Sequence, residues 1–406
     1  MLSGLRRRAS RAADRVIGGA FAVLPERWAV AVAPRRFGFT NADVPGMPPV
    51  PAGRVRLYIA PVNFAAQAYA WARAASRLDG VGAVNTQYSG PDGFAFPADL
   101  DVPVAVFANS TRWQRQHFER VSREFTHVLV EAERPIFGPL FDTDVAREVA
   151  ALRARGVSVA FVSHGSDLRL PSRHRDIDRW SPFHDADPLV TTLEQQAVAH
   201  RAILANADAP VFVSTPDLLE DWPAATWLPV VVDPDRWTSD APVLERDVPV
   251  VIHAPTSSFL KGSDLVEPAL IDETESGRID YRRIPRVPSA EMPAIVHASD
   301  ILVEQFRIGT YSVAAVEALA AGRLVVAHVH DQVREHVRAA TGLEVPVVEA
   351  TPDTLVAVLS DIRERREHYR AIAESGPAFV RAVHDGRRSA GVLAPFLGVA
   401  DESANG

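Results

Sequence analysis

Short apolar runs alternate along this chain with longer stretches in which small and apolar residues recur at helical spacing. Residues 55–60, VRLYIA, form the first run, and 65–78 follow with a helical pattern. The runs 102–107, 126–131, 157–163 and 209–214 predict further strands, with helices at 145–155 and 195–206 between them. Gly156 ends the first of these helices, and Thr215-Pro216-Asp217 reads as a helix start with threonine as N-cap and proline at N1. Strands that alternate with helices in this way predict a mostly parallel sheet.

A second series follows residues 227–233, a stretch flanked and interrupted by Pro223, Pro229 and Pro234 that reads as a linker. Its strands are expected at 248–254, 279–284, 301–304, 324–327 and 345–348, and a last helical region at 352–397. The fold class is therefore α/β, with two consecutive Rossmann-like lobes. Neither lobe carries GxGxxG, which argues against a dinucleotide-dependent dehydrogenase. The expected division is a basic N-terminal segment over 1–50, a first lobe over 51–229, a second over 230–385, and a terminal helix and tail over 386–406.

With 406 residues, 47% of them hydrophobic, the chain can bury two cores. A net charge of −8 argues against a general nucleic-acid binder. The absence of cysteine excludes disulfides, thiolate metal sites and cysteine nucleophiles. No apolar run is long enough to span a bilayer. Arg6, Arg7, Arg8, Arg11 and Arg15 precede a short glycine-broken apolar stretch at 16–24. This start reads either as an uncleaved amphipathic segment that touches an anionic leaflet or as an arginine-rich tail. The expected location is cytoplasmic, with peripheral membrane association.

The most informative stretch is 304–326, EQFRIGTYSVAAVEALAAGRLVV. It reads as strand end, glycine turn, small-residue helix, glycine stop at Gly322 and second buried strand. A single charge, Glu317, sits among alanines and needs a partner. A ribose diol would suit, because a carboxylate accepts from both hydroxyls. The alternative is a buried or capping glutamate of an ordinary α/β domain.

This stretch resembles the nucleotide-sugar motif E-x7-E-A-x-A-x-G-x-P-V-V of GT-B glycosyltransferases, in the retaining group akin to glycosyltransferase family 4. Glu317, Ala318, Ala320, Gly322, Val325 and Val326 match it, whereas Gly309 stands at the first glutamate and Leu324 at the proline. The resemblance implies that Glu317 binds the donor ribose. In place of the missing glutamate, the turn containing Arg307, Gly309, Thr310 and Tyr311 would hold the sugar or diphosphate through backbone amides.

It further implies that Lys261, of the Lys261-Gly262 pair, neutralises the donor diphosphate, whose negative charge grows as it leaves. The arginine expected just before it is replaced by Thr256, Ser257 and Ser258, so the hydroxyls and amides of Ser257 and Ser258 would take its place. Val287 is expected beside the base. In the first lobe, His164-Gly165-Ser166-Asp167 leaves a buried strand. The resemblance implies catalytic or sugar-binding roles for His164 and Asp167 and an acceptor role for Arg169, set against a strand-capping histidine and a surface Asp167–Arg169 pair. Asn63 and Gln67 lie on the first loop, as acceptor ligands or as an N-cap and its neighbour.

The expected partners are a nucleotide-sugar such as a UDP-sugar and a glycan, lipid-linked or small-molecule acceptor, with transfer under retention. Inversion would instead require a base such as Asp167 or His164. A nucleotide-sugar epimerase-like enzyme and a catalytically degenerate GT-B-fold binding protein are the alternatives. His328 and His330 alternate on one strand face, with His336 beyond, but no further ligands stand at metal-site spacing, so no metal and no cofactor are expected.

Overall fold

A computed structural model describes residues 24–90, 95–184 and 187–400. The arginine-rich start of the basic N-terminal segment, up to residue 23, and the last six residues lie outside that range. Twelve strands form two parallel sheets among the described residues. In the first, β1 (Val55–Ala60), β2 (Val81–Ser89), β3 (Leu100–Pro103), β4 (His127–Glu131), β5 (Ser158–Ser163), β6 (Val211–Val213) and β7 (Thr226–Trp227) run in the order β3-β2-β1-β4-β5-β6-β7. In the second, β8 (Val250–His253), β9 (Asp280–Arg283), β10 (Ile301–Val303), β11 (Leu324–Ala327) and β12 (Val347–Glu349) run β12-β11-β10-β8-β9. Helices cover both faces, so the inner strands are apolar on both sides: Leu57, Tyr58, Ile59 and Ala60 of β1 are all fully buried.

The order reverses at β1/β4 in the first sheet and at β8/β10 in the second, and the crevice beyond the carboxyl ends of such strand pairs is where ligands bind in open α/β sheets. The two reversal points are built alike. Glu131 ends β4 and accepts from the amides of Val62 and Asn63 after β1. Glu304 follows β10 and faces Lys261, beyond β8.

One expected strand ends early, and β2 lies where no strand was expected. The strand predicted at 102–107 ends at Pro103, which becomes the N-cap of helix Val104–Asn109. Strand β2 carries no continuous apolar run, because Asn85, Thr86 and Gln87 interrupt it. They are buried nonetheless: the Asn85 backbone amide donates to the Asp99 carboxylate at 2.9 Å, Asn85 Oδ1 accepts from the Asp99 amide at 3.0 Å and Gln87 Oε1 accepts from Asn63, whereas Asn85 Nδ2 and Thr86 Oγ1 are buried without a partner among the described residues. Thr215 and Pro216 do open a helical turn, Pro216–Leu219, but the threonine side chain does not cap it.

The predicted helical region at 352–397 resolves into helices Leu355–Glu364, Arg366–Val383 and Arg387–Leu397. The last returns to the first lobe, where Ala390, Leu393, Ala394 and Leu397 share a core with Leu57, Ile59 and Trp71. Between the lobes, residues 229–232 are held from both sides. Trp71 Nε1 donates to the Pro229 carbonyl at 2.9 Å, Gln67 bonds both backbone groups of Val231, and His384 Nδ1 donates to the Val230 carbonyl at 2.8 Å.

Candidate functional site

Between the carboxyl ends of the two sheets lies a cavity of about 540 Å³. Phe64, His164, Asp167 and Arg169 line it from the first lobe; Ser257, Lys261, Val287, Thr310 and Glu317 line it from the second. Eight residues singled out from the sequence thus meet across one cleft.

Glu317 lies on helix Val313–Ala320, whose first turn, Val313 and Ala314, also lines the cavity. Its carboxyl has no hydrogen bond or ion pair among the described residues. Burial pushes its pKa up to about 8, against the opposing pull of Arg236 and Lys261. A half-buried carboxyl without a protein partner, on a cavity wall, is free to receive donors from a ligand. The amides of the helix's first turn provide the complementary feature, an anion-binding end.

Lys261 is the only lysine among 43 lysine and arginine residues. Helix Ser258–Lys261, capped by the Ser257 hydroxyl on the Leu260 amide, presents it to the cavity. Its ammonium is paired with buried Glu304, and Ser312 Oγ bridges them, 2.9 Å from Lys261 Nζ and 2.7 Å from Glu304 Oε1. Glu304 Oε2 is buried without a partner. Sequence reasoning missed Glu304, which ends a strand within the motif but stands at no motif position.

Across the cleft, the His164 ring stacks on Trp71, with centroids 5.5 Å apart, and meets Phe64 edge-on. Its Nε2 lies 3.3 Å from Glu131 Oε1. That approach is not a hydrogen bond, since Nε2 is buried without a hydrogen-bond partner, so the packing of Trp71 and Phe64 positions the imidazole; Glu131 was legible only as a charge ending an apolar strand. The Asp167 carboxylate folds back to accept from the amides of His164 (2.7 Å) and Gly165 (2.5 Å), so it shapes the loop that presents the histidine. Arg169 is buried against Asp217; burial would raise that carboxyl, but the guanidinium holds it below the usual range. The alternative of an Asp167–Arg169 surface pair is absent, since each side chain has its own separate partners.

The remaining candidates lie outside the cavity lining. Asn63 is buried, donating to Gln87 Oε1 and the Pro97 carbonyl and accepting from the Tyr69 amide. Gln67 serves residue 231, as described above. Ser258 accepts from Arg283, and Arg307 pairs with Asp264 at 2.6 Å. Tyr311 is buried with its hydroxyl 3.2 Å from His384 Nε2. Gly309 has φ of 72°, a conformation that favours glycine, and a Cβ there would strike the His330 ring at 2.3 Å.

Two lobes of parallel sheet facing each other across such a cleft define the GT-B architecture, and solved structures of that class match the chain. Sucrose-phosphate synthase (tll1590) from Thermosynechococcus elongatus aligns with a TM-score of 0.56 at 13% identity, covering 84% of this chain and 98% of that one. Anabaena Alr3699/HepE in complex with UDP-glucose aligns with a TM-score of 0.51 at 14% identity, covering 84% and 99%. The catalytic domain of starch synthase IV from Arabidopsis thaliana, bound to ADP and acarbose, aligns with a TM-score of 0.52 at 9% identity, covering 86% and 99%. No protein-family model and no curated protein matches the sequence. The chain has the GT-B fold.

Proposed function

We propose that this protein transfers a sugar from a nucleotide-sugar donor to a glycan, lipid-linked or small-molecule acceptor, with retention at the anomeric carbon. The observation that carries the reading is Glu317: a half-buried carboxyl without a protein partner, one turn along a helix whose free amides end in the same cavity. A nucleoside diphosphate fits both features, with ribose hydroxyls donating to Glu317 and phosphate oxygens accepting from the amides of Val313 and Ala314. Lys261 supplies the compact positive charge that a leaving diphosphate requires. His164 faces the transferred sugar from the first lobe, on the loop that Asp167 shapes, and Arg169 stands at the acceptor side. No metal is needed for charge neutralisation in this scheme. The HepE complex with UDP-glucose and the starch synthase complex with ADP support a nucleotide ligand for this fold.

The lipid-linked acceptor accords with the arginine-rich start of the chain and a peripheral membrane contact there. Among the described residues, no helix is long and apolar enough to cross a membrane. Removing residues 1–24 is expected to abolish binding to anionic vesicles; unchanged binding removes that support.

Melting curves with UDP-, GDP-, ADP- and TDP-sugars test the donor site. One nucleotide is expected to stabilise the wild type and not Glu317→Ala, and release of its diphosphate on adding acceptor completes the assignment. One observation favours a second reading, a catalytically degenerate binder: Glu304 already neutralises Lys261. Stabilisation that depends on Glu317, without diphosphate release towards any acceptor, would select it.

A further inference from the structure

His328 and His330 leave β11 on one side of the chain, and their third neighbour comes from the other lobe. Asp178 follows helix Pro171–Ile177, and its side chain is only 2% exposed. Its Oδ1 accepts from the Trp180 amide at 2.7 Å. Its Oδ2 faces His330 Nε2 at 2.9 Å and His328 Nε2 at 3.6 Å. One donor atom from each of the three residues lies within 4.8 Å of the others. We propose that Asp178, His328 and His330 form a binding site for a divalent transition metal that clamps the two lobes together.

The hydrogen bonding around the cluster points to a cation. His328 Nδ1 lies 2.7 Å from Glu349 Oε1. A carboxylate only accepts, so the Nδ1 hydrogen belongs to that bond, and Nε2 is the nitrogen that faces Asp178 Oδ2. Between that nitrogen and the carboxylate there is room for one cation, either a proton on the ring or a metal ion in its place, and the nearby His330 Nε2 completes a three-ligand set for the metal. The Glu349 contact is the outer-shell carboxylate that fixes tautomer and ring orientation in metal-bound histidines. Glu349 is itself held by the Val329 amide at 2.9 Å and Arg334 at 3.1 Å.

The spacing suits a small ion. Ligand bonds of about 2.0–2.2 Å in tetrahedral geometry put donor atoms roughly 3.3 Å apart, and the two measured separations bracket that value. Two imidazoles and one carboxylate select zinc, cobalt or nickel over magnesium or calcium. The histidine side chains are 16% and 19% exposed, which leaves a path for a water as fourth ligand. His174, stacked on His330, is not that ligand, because Ser181 Oγ (2.8 Å) and the Ile308 carbonyl (3.3 Å) occupy its nitrogens.

The site is fixed to the cleft wall. The His330 amide donates to the Gly309 carbonyl at 2.9 Å, and the His330 ring fills the space above Gly309. A bound ion would thus hold the turn at 307–311 in place through His330 and tie it to the first lobe through Asp178.

The test uses the full chain after chelator dialysis, titrated with Co²⁺ and Zn²⁺ and with Mg²⁺ as control. The proposal expects one equivalent of Co²⁺ with a visible d–d spectrum, displacement by Zn²⁺, a raised melting temperature with either ion, and no effect of Mg²⁺. His330→Ala and Asp178→Asn are expected to lose the spectrum. Glu349→Gln, which removes no ligand, is expected to weaken binding by about 10–100-fold. Metal-free melting of each variant shows whether it is folded. Absence of a stoichiometric Co²⁺ spectrum in the wild type overturns the proposal, since the cluster would then be held by a proton. Binding that survives in folded His330→Ala and Glu349→Gln overturns it equally, by placing the metal elsewhere.

Discussion

Glu317 titrates in a range that experiments can reach. With its folded pKa raised to about 8, the native protein holds a proton that the unfolded chain has released above the ordinary carboxyl range. Unfolding therefore releases a proton between about pH 4.5 and 8, and this group's contribution to stability, complete at low pH, is lost as pH rises through about 8. Donor binding runs the other way, because ribose hydroxyls donate to the ionised carboxylate. Affinity for the nucleotide is expected to rise by up to about tenfold per pH unit below pH 8 and then level off. In Glu317→Gln both slopes should flatten, as read by calorimetric titration and melting at pH 6, 7 and 8; a wild-type slope retained in the variant rules Glu317 out as the titrating group. The single lysine gives a second check at this scale. Reductive methylation can reach only Lys261 and the chain's amino terminus, and donor is expected to protect Lys261 severalfold by peptide mass analysis. Equal labelling with and without donor would place the diphosphate away from it.

Helix Val313–Ala320 shows what sets an element rather than a residue. It carries Glu317 on the cleft side and packs against helix Arg366–Val383 behind. The approach is close at Gly376, where a Cβ would stand 2.6 Å from the Leu319 carbonyl oxygen. Gly376→Val must push the two helices apart, and the expected result is at least a tenfold loss of donor affinity from a residue that lines no part of the cavity, measured beside a melting curve that shows the variant folded. Unchanged affinity would mean that the helix tolerates displacement. The element itself was legible in the sequence, since its small residues, Gly322 stop and lone carboxylate each have a local cause. The partner of Lys261 was not, because Glu304 is brought to it by the β8/β10 crossover, and a contact between residues 43 apart has no local signal. Strand β2 was hidden for a related reason: Asn85 is bonded by Asp99 and Gln87 by Asn63, partners that only the tertiary fold brings to them. Likewise Asn63 and Gln67, placed on the right loop by pattern, turned out to be bonded within the first lobe and to the chain between the lobes.

At the scale of the molecule, the chain crosses between the lobes twice, and the two crossings brace each other. The first is the stretch at 229–232; the second leads from His384 into helix Arg387–Leu397. Ser389 Oγ donates to the Pro229 carbonyl at 2.8 Å, and the Val232 amide donates to the His384 carbonyl at 2.9 Å. Beyond this bracing, Leu393 and Leu397 are buried in the first lobe's core. The terminal helix is therefore part of the first lobe's interior and part of the hinge at once, which predicts that the lobes unfold together. Leu393→Asp puts a charge where a fully buried leucine stood, at a cost of several kcal/mol, and detachment of the helix relieves it. Differential scanning calorimetry is expected to show one transition in the wild type. In the variant that transition should split, with the first-lobe component lowered by roughly 10 °C or more. Donor-induced stabilisation should persist in the upper component, because Glu317 and Lys261 belong to the second lobe. A single transition at the wild-type temperature would show that the helix is an ornament on the first lobe rather than the tie between the two.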